Sequence, residues 1–597
     1  MSPITRREFL RHTATGAALS ALAPTIVAAE ATSPAPAPAA AETRSATAET
    51  RSAAADLRRG GAGTGAARPN IVWFICEDSS PDFGCYGVPE ARTPSIDRIA
   101  AEGVRFTNAY TTYGVCAPSR AGIVTGMYPM SIGAQHMRSS CVPPAEVRVF
   151  SEYLRAGGYY CTNWAKTDYN FPAPLSAWDG CHEQADFHQR AKGQPFFAVY
   201  DIIVTHESQH WNSEGKLDHD PEKIVLPPYY PDTPIVRRTW AKYFDNITKL
   251  DTRIGQVLKQ LDDEGLVENT IVVVLSDHGR GMPRAKRWPY DAGIRVPLII
   301  RWPGKVKPGT TCDDLASWID LAPTMLSLAG VPVPKHFQGQ IFFGPDKANP
   351  REYIFAGRDR MDETYDLIRA VRDKRFKYVK NFQPEKPYAQ LIAYAEKMPI
   401  MQEIRRLAAE GKLTAPQKLF MEPTKPPEEL YDTLADPHEI NNLAGKPEHE
   451  ETLKRMRGVL EQWMKDIHDT GPMPEEQLKE RMRPGGTWAV TADPVAKPAG
   501  GTFPGPIEVT VTCATEGSSI VWRTDTGAAG AAGEAGEKGA RKAAKKAGKA
   551  AGQEEGGVHW NLYTGPIKLA SSTTLHVKAC RIGYKDSKDV AGEFKIG

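Results

Sequence analysis

Four stretches of the chain are apolar over consecutive positions. In PNIVWFICED the run from Ile71 to Cys76 ends at two carboxylates, Glu77 and Asp78. A run without polar alternation predicts a strand covered on both faces. PFFAVYDIIVTHE, TIVVVLSDHG and VPLIIRWPG repeat the pattern. Between these runs the period changes. TPSIDRIAAEG predicts a helix with Thr93 as N-cap, Pro94 in the first turn and Gly103 as terminator. VRFTNAY returns as a strand, and FSEYLRAGG predicts another helix. Asp232, Thr233 and Pro234 open a long helix in which Tyr243, Ile247, Leu250, Ile254, Val257 and Leu261 recur at three and four. Strands alternating with helices predict an α/β fold, a large mainly parallel sheet sandwiched by helices. In such sheets chemistry gathers at the carboxyl ends of strands. Glu77, Asp78, His206, Asp277 and His278 all follow apolar runs.

Past Gly339 the pattern is different. LIRAVRDKRFKYVKNF reads as an antiparallel pair turning at Asp373 and Lys374, and EELYDTLADPHEINNLAG leads into an amphipathic helix carrying Leu453, Met456, Leu460 and Met464. From about Ala492, short alternating strands separated by Gly and Pro turns predict a small all-β module. The expected organisation is a catalytic α/β domain over 68–338, a smaller α+β subdomain over 339–488, and a β-sandwich-like module over 492–597. An Ala, Gly, Lys and Glu insertion at 527–557 interrupts that module and reads as a solvated loop.

The N-terminus adds an address. Arg6 and Arg7, a weakly apolar run and small residues around Ala28 and Ala29 resemble a twin-arginine signal over residues 1–30. An Ala, Pro, Ser, Thr and Gly tether at 31–67 follows and reads as disordered. The resemblance implies the twin-arginine translocase as a partner and a periplasmic or extracellular destination. No later stretch supplies the roughly 18 apolar residues of a membrane span. A formal net charge of +2 over 597 residues argues against a nucleic-acid footprint. The nine cysteines lie at wide spacings with no C-x-x-C pair, so they read as mostly buried thiols.

The candidate chemistry starts from two acidic strand ends. Glu77 with Asp78, and Asp277 with His278, together offer oxygen-rich ligands for a hard divalent cation, and three carboxylates suit calcium better than zinc. Cys116, in GVCAPSR, lies at the mouth of a helix expected to begin near Pro118 or Ser119, where free N–H groups favour an anion. A lowered thiol pKa would make it a cysteine hydrolase nucleophile, with Arg120 as an anion clamp.

C-A-P-S-R followed by A-G-I-V-T-G-M-Y-P resembles the type I sulfatase signature of the alkaline phosphatase superfamily, in which the cysteine is oxidised to formylglycine by a dedicated maturing enzyme. PNIVWFICED, NWAKTDYN, VTHES, SDHG, Lys286, VPLIIRWPG and EELYD with its DP and NLAG follow the family order across about residues 69–485. The resemblance implies calcium held by Glu77, Asp78, the modified Cys116, Asp277 and His278. It implies that Arg120 orients the modified residue and that Lys166 and Lys286 neutralise sulfate oxygens. The aldehyde hydrate would attack sulfur, with Asp277 as base and His206 as proton donor to the leaving atom.

Two positions depart from the family pattern. Glu77 stands where aspartate is usual, and Thr167 and Asp168 follow Lys166 where many members have a histidine. His182, His188 and His210 are the candidates to replace it. AKTDYNF, PDTPIVRR, SDHGRGMPRAKR and AGRDRMDETYDLIRAVR resemble the heparan N-sulfatase branch, which makes Arg358, Asp359 and Asp362 candidate sugar ligands beside the reading of a structural ion-pair cluster. The C-terminal module resembles chitobiase-type β domains. The leading expectation is an exported sulfatase acting on a sulfated glycan, with N-sulfoglucosamine favoured. A phosphonate or phosphate monoester hydrolase and a non-catalytic glycan-binding protein are the other readings.

Overall fold

The structure, a computed structural model, describes residues 68–525 and 558–597. The expected export signal at 1–30, the tether at 31–67 and the insertion at 527–557 lie outside the described residues.

The large sheet has eight strands: β1 (Asn70–Cys76), β2 (Val104–Tyr110), β3 (Tyr160–Asn163), β4 (Gly180–Cys181), β5 (Phe196–Ile202), β6 (Thr270–Leu275), β7 (Leu298–Arg301) and β8 (Thr310–Ser317), in the order β4-β3-β5-β1-β6-β7-β2-β8. Only β7 runs against its neighbours, so the sheet is mainly parallel. β1 lies between β5 and β6 in parallel register, Ile75 opposite both Asp201 and Leu275.

Both faces of β1 are covered, which is why its sequence does not alternate. Val72, Phe74 and Cys76 pack toward α1 (Pro94–Ala101) and the long helix, while Ile71, Trp73 and Ile75 pack toward α2 (Cys116–Thr125), α3 (Phe150–Ala156) and a helix over Leu321–Leu328. The long helix, α4, spans Pro234–Asp263, and its six-residue apolar stripe is buried. The Thr233 hydroxyl accepts from the Val236 N–H at 3.5 Å. Thr93, by contrast, does not cap α1. Its hydroxyl is engaged with Asp97, and Asp251 of α4 accepts from the Ser95 and Ile96 N–H groups instead. A carboxylate from a neighbouring helix has taken the capping role, which ties α1 to α4.

A second, antiparallel sheet in the order β12-β11-β10-β9 is built from β9 (Ile354–Arg358), β10 (Ile368–Arg372), β11 (Phe376–Asn381) and β12 (Glu428–Asp432). The helix Glu450–Asp466 packs on it through Leu453, Met456, Leu460 and Trp463, so Trp463 holds the buried position expected of Met464. The C-terminal residues form two small sheets of three and five strands. This module docks on α3 and its flanks: Arg155 donates to the Trp560 carbonyl at 2.7 Å, and Ile582 joins the core on the α3 side.

Candidate active site

Three adjacent strands, β5, β1 and β6, end side by side, and each delivers charge. β1 hands over to Glu77 and Asp78, β6 leads to Asp277 and His278, and β5 ends in two short 3-10 turns that carry His206 and Glu207. Asp78 has a left-handed backbone, φ 49°, which aspartate tolerates better than most residues. Its N–H donates to Asp277 Oδ1 at 3.1 Å, locking the two strand ends together.

Cys116 is the first residue of α2 rather than a residue ahead of it, so it stands at the amino end of that helix. Its Sγ is 3.3 Å from His278 Nε2, 3.6 Å from Glu77 Oε1 and 3.9 Å from Asp78 Oδ1. Ser119, one turn on, donates to the Asp277 carbonyl at 2.5 Å and fixes helix to strand end. Burial pushes the Cys116 thiol up despite the nearby charges of Lys166 and Lys286. A raised pKa disfavours the thiolate that a simple cysteine hydrolase would need.

Arg120, on the next turn of α2, is 2 % exposed and joins three carboxylates. It pairs with Glu77 at 2.5 Å and Asp277 at 3.1 Å, and donates twice to Asp201, each at 2.7 Å. Asp201, near the end of β5, escaped the sequence reading. Its signal was a lone charge inside an otherwise apolar strand. Glu207 and Arg287, adjacent to His206 and Lys286, also escaped it and form a buried pair at 2.6 and 2.9 Å. Lys166 pairs with Glu77, and Lys286 with Asp78 at 2.7 Å and Glu207 at 3.3 Å. Burial would raise the Asp78 and Asp277 carboxyls, but Lys286 at the first and His278 and Arg120 at the second hold both well below the usual range.

The donor set suits a divalent cation. Asp78, Cys116, Asp277 and His278 each present one ligand atom within 4.8 Å of the others, all buried. His278 Nδ1 faces the Gly279 carbonyl at 2.8 Å, so a proton there leaves Nε2 free to ligate. Five carboxylates, Glu77, Asp78, Asp201, Glu207 and Asp277, meet four fixed cations, Arg120, Lys166, Lys286 and Arg287, and the fifth charge is a proton on His278, whose pKa Asp277 and Asp78 hold well above the usual range. A bound cation would take the place of that proton and free Nε2 as a ligand. Glu77 stands apart from this group: its oxygens face Arg120 and Lys166, and it converges instead with Asp78, Cys116 and His206.

His206 is half-buried, and its Nδ1 accepts from the Ser208 N–H at 3.3 Å, which leaves the other ring nitrogen to carry a proton. Burial and the Lys286 charge lower its pKa. None of the three replacement histidines joins the cluster. His182 is exposed, His188 pairs with Asp186 and Glu264, and His210 is buried against Thr205 and Asn246.

The three candidate sugar ligands separate. Arg358 is buried over the Trp288 ring, 4.1 Å from its centroid, and donates to the Arg287 carbonyl and to Gln390. Asp359 is buried between Tyr113 and Arg369, at 2.6 and 2.9 Å. Both therefore sit in the structural ion-pair network. Asp362 is part-exposed, with a left-handed φ of 49° and Arg138 at 3.2 Å.

Residues 69–178 and 179–331 match the Sulfatase family profile, and residues 283–392 match the profile described as N-sulphoglucosamine sulphohydrolase, C-terminal. An ulvan-active sulfatase of Formosa agariphila is 40% identical over 572 residues, covering 88% of this chain and 91% of its own length. The N-sulphoglucosamine sulphohydrolase of Homo sapiens is 25% identical over 479 residues, 70% of this chain and 94% of the relative. A solved protein in complex with its substrate D-glucosamine-2-N,6-O-disulfate shares the fold, with a TM-score of 0.51 and 21% identity over 69% of this chain and 100% of that one. The phosphonate monoester hydrolase of Agrobacterium radiobacter does too, with a TM-score of 0.52 and 16% identity over 68% of this chain and 97% of that one.

Proposed function

The chain belongs to the sulfatase family, and from that premise we propose that it removes sulfate from a sulfated polysaccharide at the Cys116 centre after Cys116 has been oxidised to formylglycine. The observation that carries this reading is the placement of Cys116: first residue of a buried helix, ringed by Asp78, Asp277 and His278, with the charges of Lys166 and Lys286 acting on it.

Formylglycine, as its hydrate, would supply a hydroxyl nucleophile with a second hydroxyl through which sulfate can later leave. Calcium, held by Asp78, Asp277 and His278 with Glu77 alongside, would supply Lewis acidity to a sulfate oxygen. The remaining roles belong to the chain. Arg120 holds Asp277 and Glu77 in place. Asp277 takes the proton of the attacking hydroxyl. Lys166 and Lys286 offset negative charge on the sulfate oxygens as the bond to the leaving group breaks. His206 would pass a proton to that leaving atom from its free ring nitrogen.

Two substrate classes are supported by the relatives: the polysaccharide named by the ulvan-active relative, and the N-sulfoglucosamine named by the more distant human one. We place ulvan oligosaccharides first, because that likeness is higher and covers more of the chain. Export through the twin-arginine pathway, supported by Arg6 and Arg7, would require formylglycine to form in the cytoplasm, since that route carries folded protein.

The test is sulfate release by matured enzyme from ulvan oligosaccharides, N-sulfoglucosamine and a phosphonate ester. Release from one of the sulfated sugars, with the phosphonate turned over more slowly, is expected. Faster turnover of the phosphonate, or no release from any sulfated sugar, overturns the reading.

A further inference from the structure

Beside the charged centre, the chain between β11 and the helix Pro399–Ala409 brings Tyr394 next to His206, ring centroids 6.3 Å apart. Tyr394 stands edge-on to Trp211, centroids 4.8 Å apart at 63°. The Lys397 ammonium lies 5.2 Å from the Trp211 ring and 5.6 Å from the Tyr394 ring. Neither ring belongs wholly to the core, since both are part-exposed and Lys397 is exposed. Lys397 enters no ion pair among the described residues, and the indole N–H of Trp211 is buried without an acceptor. Leu391, on the same segment, is 66% exposed.

Two part-exposed aromatic rings and an ammonium without an ion-pair partner among the described residues, with Tyr394 beside the proton donor, have a shared chemistry. Aromatic rings offer flat apolar area for the C–H face of a pyranose, and a few placed polar groups fix its orientation. An ammonium held over two rings is also weakly solvated on that side, which favours a ligand anion. We propose that Tyr394, Trp211 and Lys397 form a subsite for an anionic sugar ring adjoining the one that bears the scissile sulfate. The ring face rests on Tyr394, and its carboxylate or second sulfate pairs with Lys397. The inference rests on the sulfatase reading of the Cys116 centre, since it takes His206 to mark where the leaving group ends.

The experiment uses matured full-length enzyme and its Tyr394→Ala and Lys397→Gln variants. Four substrates are compared: a sulfated disaccharide with a uronate neighbour, its carboxyl-reduced form, the reduced form carrying a second sulfate, and 4-nitrophenyl sulfate. Lys397→Gln should lower kcat/KM about tenfold on whichever anionic disaccharide is the true ligand, through KM, and leave the reduced disaccharide and the aryl sulfate within about twofold. Tyr394→Ala should lower kcat/KM about tenfold on every disaccharide and spare the aryl sulfate. Equal losses on all four substrates would assign Tyr394 and Lys397 to positioning His206 and overturn the proposal, as would unchanged disaccharide kinetics in both variants. Wild-type enzyme that releases sulfate from no saccharide overturns the sulfatase-on-glycan reading with it. Wild-type release with unaffected variants overturns the subsite alone. Lys397 is on the surface, so Lys397→Gln keeps the test decisive if Tyr394→Ala does not fold.

Discussion

Asp201→Asn is the most informative single change, because it removes one buried charge without changing volume. Asp201 accepts two hydrogen bonds from Arg120, both 2.7 Å, and both side chains are at most 2% exposed. Asparagine keeps one acceptor but turns an NH₂ group toward the guanidinium. Removing one partner of a buried pair costs about 3–5 kcal/mol, most of it the uncompensated charge left behind. Arg120 retains Glu77 and Asp277, and burial pushes the Asp201 carboxyl up to about 6 despite Arg120, so the loss should be no more than the low end, about 3 kcal/mol at most. The chemistry should suffer as well. Arg120 Nε donates to Asp277 at 3.1 Å, and a guanidinium drawn toward its remaining partners displaces Asp277 from Cys116 and His278. Displacement of a catalytic group by a fraction of an ångström should lower kcat about ten- to hundredfold. Urea unfolding gives the stability term, and kcat and KM for sulfate release from one substrate give the other. An Asn variant as stable and as active as wild type would refute the argument that this charge holds Arg120. A stability loss with kcat unchanged would show that Glu77 and Asp277 suffice to aim it.

Other expectations follow from the same geometry. Cys116→Ala should fold with a thermal midpoint close to wild type and release no sulfate, and mass spectrometry of the Cys116 peptide should show the aldehyde in active protein only. Chelation should abolish turnover, and calcium should restore it more fully than magnesium, whose strict octahedral shell fits the buried set of Asp78, Asp277, His278 and the modified Cys116 poorly. His210 is fully buried, and burial lowers its pKa to about 4. The unfolded chain, at about 6.5, therefore binds the extra proton, so stability is full above that pH and falls as pH drops toward 4. The contribution lost by pH 5 is about 2 kcal/mol, and urea midpoints at pH 7 and pH 5 should converge for His210→Gln relative to wild type. Replacing Arg6 and Arg7 by lysine should leave the protein in the cytoplasm, and recovery of that variant in the periplasm would overturn the export reading.

The sequence by itself determined much of the scaffold. Apolar runs such as Ile71–Cys76 have no polar face to expose, so they must be buried on both sides, and a parallel sheet between helix layers is what accomplishes that. The stripe on Pro234–Asp263 was equally plain, because spacing by three and four names a buried face directly. The carboxylates and histidines after the runs were visible because they follow apolar strands, and Cys116 with Arg120 because they stand in the C-A-P-S-R motif.

What only the tertiary structure decided was partnership. Whether Thr93 or Asp251 caps α1 depends on which side chain arrives through space, and Asp251 comes from a helix more than 150 residues away. Arg358 and Asp359 read equally as sugar ligands or as a structural ion-pair cluster, and the pairing of β9 with β10 decided for the second by bringing Arg369 to Asp359 and Asp366 to Arg358. Asp201 looked like a flaw in an apolar strand until β5 was set beside β1, which puts its carboxylate opposite Arg120. Tyr394 and Trp211, nearly two hundred residues apart, carry no pattern at all. Local patterning reports which residues must be buried, because burial is a property of one side chain and its period. A buried charge or an aromatic pair is defined by its partner, and partners are chosen by the fold.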